Sequence, residues 1–358
     1  MLRYKILGHS GLRVSELCLG AMTFGEELGW GASLDECRVM LDMFAELGGN
    51  FIDTANGYTG GTSERFVGQL VKGQRERFVI ATKFTNTTVR SGDLMERHPN
   101  AAGNQRKSMT EALNASLKRL DTDYIDLYWV HTWDQITPAD ELMRALDDAV
   151  RAGKILYIGM SNAPAWWMAR ANTMAELRGW TRFAAMQIEY SLAERTPERE
   201  LIPMSRAMDM GVCAWSPLGA GVLTGKYAAE AQAGEKRRLD MPGRSINPKR
   251  IALAKEVAAV AKDIGCSPAQ LAIAWLMRGP KAIPILGART REQLADTLGA
   301  AKLHLDASVL ARLDEFSKPS LGYPHALLAS RGQTQFAQTY AYERIDVHRD
   351  EGGARRRV

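Results

Sequence analysis

Disulfide and metal chemistry are what this sequence most plainly lacks. Four of its 358 residues are cysteine, Cys18, Cys37, Cys213 and Cys266. They stand far apart, form no CxxC pair and have no histidine at ligand spacing, so they read as free, mostly buried thiols and not as a metal site. No stretch approaches the roughly 20 apolar residues of a membrane span. The amino terminus, MLRYKILGHSGLRVSE, has no apolar core of a signal peptide, and a reducing, cytoplasmic setting is the expectation. Charge is short of any one-sided concentration: the net is +5, with cations clustered only at 236–238 and 355–357. With no aromatic-basic ladder or recognition motif beside them, these argue against a nucleic-acid binder and suit small anionic ligands. Missing too are a Pro-rich or Ser-rich linker to divide the chain and a GxGxxG after its first apolar run, which an open dinucleotide-binding sheet would want.

What is present is a rhythm. After YKILGHSGLRVS, which reads as two short strands around a glycine turn, eight short apolar runs recur: SELCLGAM, GNFIDTA, RFVIATKF, YIDLYWVH, ILYIGMSN, AAMQIEYS, GVCAWSPL and AIPILGA. They are continuous, not alternating, as strands buried on both faces of a parallel sheet must be. Between them lie stretches with apolar residues three and four apart, such as SLDECRVMLDMFAELGG, SMTEALNASLKRL and PADELMRALDDAVRAGK, which are helices. Ser33 and Thr137 stand as N-caps and Gly48 and Gly153 as C-caps. Eight strand–helix repeats specify an α/β fold, a closed (β/α)8 TIM barrel with an N-terminal β-hairpin; an open doubly wound sheet is the alternative.

The expected organisation is one catalytic barrel over 1–318. A tail over 319–358 follows, in which Tyr323, Phe336, Tyr340 and Tyr342 could partly cover a pocket before mobile last residues. Connections 85–106 and 219–250 are longer than packing needs and fall on the face where strands end, as lids or binding loops do.

Four polar side chains stand at the carboxyl ends of these runs: Asp53 and Tyr58 after the second, Lys83 on the third and His131 after the fourth. A phenol titrates near 10 in water, too weak an acid to protonate a carbonyl efficiently. An ammonium beside it stabilises the phenolate, a carboxylate holds the ammonium charged, and an imidazole can orient the substrate oxygen. Taken singly, Asp53 and Lys83 could be a structural ion pair and Tyr58 a loop aromatic; gathered on three consecutive strand ends, they read as a proton-transfer set. The remaining histidines have no partners at ligand spacing, and no metal site is expected.

DTANGY with GTSERFVGQL, ATKF, IDLYWVHTWD, GMSN, QIEYSL, WSPLGAGVLTGKY and IPILGARTREQL together resemble the aldo-keto reductases, in that family's order and spacing, over about nine tenths of the chain. GNQRKSM and PAWWMARANTMAELRGW look most like its aryl-alcohol dehydrogenase branch. The resemblance implies an NADPH-dependent reductase of aldehydes or ketones, reversible toward alcohol oxidation, with Tyr58 as general acid, Lys83 and Asp53 tuning it and His131 positioning the carbonyl. It implies that Ser161, Asn162 and Gln187 bind the nicotinamide carboxamide, with Met22 also at the cofactor. Trp215 stacks on the ring where many relatives have tyrosine. Ser216, Pro217, Leu218, Gly219 and Lys226 run along the pyrophosphate, backbone amides there helping to hold the anion, and Gly287, Arg289 and Gln293 hold the adenosine phosphate. Arg289 favours NADP over NAD, because a guanidinium can grip a 2′-phosphate bidentately. Thr297 replaces the family's usual asparagine against the adenine.

Phe24, Trp30 and Trp133 could line a pocket for an aryl or bulky carbonyl substrate, or pack on the rim. A regulatory subunit resembling the potassium-channel β subunits, using the nucleotide as a redox sensor, is a second reading. A sugar-phosphate isomerase would fit the fold but not Lys83 beside Tyr58. Partners are a small molecule without nucleic acid or membrane, and a monomer and a homo-oligomer are equally open.

Overall fold

The computed structural model describes residues 1–27, 29–88, 98–227, 247–278 and 282–330. A two-stranded antiparallel hairpin, β1 (Tyr4–Ile6) and β2 (Arg13–Ser15), precedes eight parallel strands: β3 (Cys18–Gly20), β4 (Phe51–Asp53), β5 (Val79–Phe84), β6 (Ile125–Val130), β7 (Ile155–Ser161), β8 (Phe183–Glu189), β9 (Gly211–Trp215) and β10 (Ala282–Leu286). They pair in chain order, and β10 closes on β3. The eight apolar runs are these eight strands. All six residues of β5 and all six of β6 are buried, because one face meets the helices and the other the barrel interior.

That interior is packed. Phe51, Val79, Leu127, Trp129 and Ile283 fill it, together with Leu7 and Val14 from the hairpin, which plugs the amino end. Gly159 is required here, since a Cβ at this position would sit 2.2 Å from the Trp129 ring. With the lower barrel filled by side chains, among the described residues the barrel opens to a ligand where the strands end.

Helices pack outside through their apolar faces. In the helix Leu34–Glu46, Cys37, Met40, Leu41 and Phe44 are buried, each large side chain contributing roughly 1.5–3 kcal/mol of transfer free energy. Ser33 caps it by accepting from the Glu36 N–H, and Gly48 ends it at φ +86°, a left-handed position that glycine takes without strain. Gly153 does the same at φ +71°. Thr137 does not cap its helix. Pro138 holds the N-cap position of Ala139–Arg151, and the Thr137 hydroxyl donates to Asp134 instead, at 2.6 Å. Asp134 holds Thr137 one residue before the N-cap position, accepting from its backbone N–H at 2.9 Å as well as from its hydroxyl.

Both long connections are partly described. Within 85–106, residues 98–105 fold back on the strand end, with Gly103 N–H donating to the Thr85 carbonyl at 2.8 Å. Within 219–250 a short 3-10 segment, Gly219–Thr224, and the Asn247 cap of the helix Pro248–Asp263 are seen. Tyr323 is 87% exposed, and no described tail residue lines the barrel mouth. Phe336, Tyr340 and Tyr342 lie outside the described residues.

Candidate active site

Asp53 is the last residue of β4, and Lys83 lies one short of the end of the neighbouring β5, in register with Trp129 of β6. Tyr58 opens a tight turn, Tyr58–Gly61, whose next residues Thr59, Gly60 and Gly61 all have positive φ. That turn folds the phenol back toward the strand ends. The Lys83 ammonium is fully buried and uses three donors: to Asp53 Oδ2 at 2.5 Å, to the Thr54 carbonyl at 2.8 Å and to Tyr58 Oη at 3.1 Å. Burial works against its charge, but the Asp53 carboxylate and Tyr58 more than offset this and hold it above its ordinary value. The other Asp53 oxygen accepts from Gln187 Nε2 at 2.9 Å, so the carboxylate is fixed from both sides.

His131 follows β6. Its N–H donates to the Phe84 carbonyl at 3.2 Å and its own carbonyl accepts from Asn162 Nδ2 at 2.9 Å. The ring meets Tyr58 edge to face, with centroids 6.0 Å apart. Burial first, and repulsion from the Lys83 ammonium second, push its pKa down to about 3. The imidazole is therefore neutral at physiological pH, a hydrogen-bond donor and not an acid. Its Nδ1 faces the Asn86 side-chain amide at 3.2 Å. Sequence reasoning missed Asn86; the only available signal was its place three residues beyond Lys83 on the same strand end.

These side chains form one end of a cavity of about 1070 Å³ at the carboxyl face, where Tyr58, His131 and Asp53 line the wall. Asn162, Gln187 and Trp215 continue it, with Asn162 Oδ1 accepting from the Trp215 indole at 3.3 Å. Ser216, Pro217, Leu218 and Lys226 follow, and the far end is built from Gly287, Arg289, Gln293 and Thr297. Met22 and Trp30 close the cavity from the loop after β3.

Several expected residues are placed differently. Ser161 is fully buried and does not line the cavity; its Oγ accepts from Asn162 Nδ2 at 2.9 Å and steadies that side chain. Gly219 is also buried beneath the wall. In the stretch expected along the pyrophosphate the Gly219 N–H is used inside the turn, donating to the Ser216 carbonyl, and the two amides after it are engaged as well, Ala220 N–H with Ser216 Oγ and Gly221 N–H with the Leu218 carbonyl. Lys226 is the cation that this segment offers the cavity. The Thr297 hydroxyl donates back to the carbonyls of Gln293 and Leu294, at 3.0 Å each, and has no hydrogen left for a ligand. Phe24 is 1% exposed and lies in the core, absent from the cavity wall, because its loop turns it inward. Trp133 packs on the rim edge to face against Trp166, at 5.6 Å, and on Trp167, and not into the cavity.

The wall suits an elongated anionic ligand. It places an amide pair, Asn162 and Gln187, and an aromatic face, Trp215, beside the proton-transfer set, with Lys226 and Arg289 farther along. At the Gly287 turn an added Cβ would meet nothing within 4 Å, so there is room for a bulky group against the backbone. A dinucleotide fits both the volume and the order of these groups.

The aldo/keto reductase family model matches residues 16–318. A norsolorinic acid reductase of Aspergillus flavus is 36% identical over 330 residues, spanning 90% of this chain and 82% of that protein. An aryl-alcohol dehydrogenase of Pestalotiopsis microspora is 35% identical, spanning 94% and 88%. An uncharacterised oxidoreductase of Bacillus subtilis is 37% identical, spanning 91% and 99%. The barrel, its strand-end constellation and these likenesses agree that the chain belongs to the aldo/keto reductase family, oxidoreductases acting on carbonyl and alcohol groups.

Proposed function

We propose that this protein is an NADPH-dependent reductase of aldehydes or ketones, reversible toward alcohol oxidation, with Tyr58 as the general acid. The observation that carries the reading is the Lys83 ammonium, fully buried behind the cavity wall and bonded at once to Asp53 and to the Tyr58 hydroxyl, both of which line the cavity. When bound, the dihydronicotinamide supplies the hydride. Asn162 and Gln187 would hold its carboxamide, Trp215 would offer the ring an aromatic face, and Arg289 would select the 2′-phosphate. Tyr58 and His131 converge on the carbonyl oxygen from the cavity wall. As negative charge develops on that oxygen the Tyr58 proton moves to it, and Lys83 stabilises the phenolate left behind. His131, held neutral by burial, donates a hydrogen bond to the same oxygen and stays protonated throughout.

Aryl or bulky carbonyl compounds are the proposed substrates. Trp30 and Trp215 give the reactive end of the cavity an aromatic lining, and the names of two relatives, an aryl-alcohol dehydrogenase and a norsolorinic acid reductase, point the same way. The test is multiple-turnover NADPH consumption with benzaldehydes, aliphatic aldehydes and polycyclic ketones, on wild type and Tyr58→Phe. Turnover of aryl substrates by wild type, lost in a variant that still binds NADPH, is the expected result. Full activity in Tyr58→Phe would remove the general acid, and a single oxidation of bound cofactor without turnover would favour a redox sensor.

A further inference from the structure

We propose that Asn86 is a positioning residue that fixes the tautomer of His131, placing the ring proton on Nε2. An amide nitrogen has only hydrogens to offer. With Asn86 Nδ2 3.2 Å from His131 Nδ1, Nδ1 must accept, and the one proton of the neutral ring is left on the other nitrogen. An unassisted imidazole has no such constraint, and Nδ1–H would leave the substrate oxygen facing a lone pair. This inference deepens the proposed reductase reading and rests on it for its catalytic consequence, though not for the tautomer itself.

The asparagine is held from three directions. Thr85, immediately before it, has φ +95°, a conformation that a β-branched residue adopts only where its surroundings impose it. Those surroundings are visible: the Thr85 hydroxyl donates to Asn104 Oδ1 at 2.7 Å, and its carbonyl accepts from Gly103 N–H at 2.8 Å. Asn104 is fully buried and is itself tied to the Thr132 carbonyl at 3.1 Å and to Asp134 Oδ2 at 2.8 Å. On the other side, Asn56 Nδ2 donates to the Asn86 carbonyl at 3.2 Å. The residues leading away from β5 and those following His131 are thus joined through one buried asparagine, which holds the backbone at Asn86 beside the imidazole, while the exposed Asn86 amide bonds to the ring itself.

The groups around the ring match this role. Tyr58 meets its edge, and Lys83 on β5 is the charged group acting on it. Asp53 on β4 is engaged by Lys83 and Gln187, and Asn162, after β7, bonds to the His131 backbone carbonyl. Among the described residues, none of these contacts offers Nδ1 a carboxylate, the usual partner that draws a proton to that nitrogen.

Full-length protein labelled with nitrogen-15 histidine reports the tautomer directly in long-range proton–nitrogen correlation spectra, with His131→Gln assigning the resonance. Wild type should show a neutral Nε2–H ring from pH 5.5 to 8. Asn86→Asp replaces the donor by an acceptor, so the proton should move to Nδ1 at pH 8. Aryl-aldehyde turnover there should fall about 10²-fold, the loss expected for one donor to a developing oxyanion. It should recover partly toward pH 6, as the ring takes a second proton and regains Nε2–H. The dissociation constant for NADPH should stay within about twofold. A wild-type ring carrying its proton on Nδ1 overturns the proposal without any variant, and so does an Asn86→Asp protein with unchanged tautomer and pH profile. An Nε2–H ring in a protein that turns over no carbonyl compound leaves the Asn86 assignment standing and defeats the reductase reading instead.

Discussion

Lys83 with Asp53 at the carboxyl end of the barrel and Arg75 with Asp126 at its amino end are both cation–carboxylate pairs withdrawn from water, yet they differ in where their remaining donors go. Arg75 sends its other N–H groups to Thr122 and to the carbonyls of Phe78 and Tyr124, at 2.9–3.2 Å. Asp126 accepts in turn from the Ile80 N–H at 2.9 Å. Apart from the Phe78 bond, which stays within the approach to β5, these bonds stitch the start of β5 to the start of β6. Lys83 also fills all its donors, but one of them ends on the Tyr58 hydroxyl, which reaches the cavity. A buried pair is weak evidence for function by itself, since the cost of desolvating the ions can cancel their attraction. What separates the two here is that one bonding chain ends on a side chain in open space.

The contrast can be broken by experiment, beginning with the largest effect. Tyr58→Phe should lower kcat by about 10²–10⁴-fold, the usual worth of a positioned acid, with NADPH affinity and thermal stability near wild type. Removing a cation should then separate the two ends. Arg75→Met leaves the Asp126 carboxylate buried without its partner and should cost about 3 kcal/mol of unfolding free energy with kcat nearly unchanged. Lys83→Met should cost a similar amount and abolish turnover as well, as denaturant titration and steady-state rates on the same samples would show. If Arg75→Met lost turnover too, the amino-end pair would not be purely structural.

Arg289→Ala should weaken NADPH about 10–100-fold, the range for losing charged hydrogen bonds to phosphate, and leave NADH almost unaffected. An unchanged ratio between the cofactors would remove Arg289 from the 2′-phosphate site. The smallest effect concerns His131. In the folded protein it is about 3 against its ordinary 6.5, so on acidification the unfolded chain takes up this proton first and unfolding is favoured. Wild type should therefore lose about 1 kcal/mol more than His131→Gln between pH 7 and 5.5, read from denaturant curves at both values.

The strand ends were legible in the sequence because two independent signals coincide there: a continuous apolar run, and a polar residue where it stops. Asp53, Lys83 and His131 announce themselves in that way. Side chains on irregular turns did not. Phe24 and Trp30 lie six positions apart on one loop, and nothing in their types says which faces inward. Thr137 had the right chemistry for a cap, but the helix begins one residue later and Asp134 binds both its N–H and its hydroxyl. The positive φ of Thr85 is imposed by Asn104, nineteen residues on, a long-range condition that no local pattern encodes. Ser216 through Gly219 resembled an anion cradle, and only the hydrogen-bond pattern shows that the Gly219 amide is already engaged inside the turn.

The cysteines have a last consequence. Cys18 and Cys213 lie in the barrel interior beneath the reactive end, fully buried, and burial raises both thiols well above their ordinary values. Thiols attack aldehydes and other electrophiles as thiolates, and these two have neither the charge nor the access. A catalyst that admits electrophilic carbonyl compounds thus has its own nucleophilic sulfur sealed beneath the site. Cys266, half-buried away from the cavity, is the most accessible of the four, though burial raises its thiol as well.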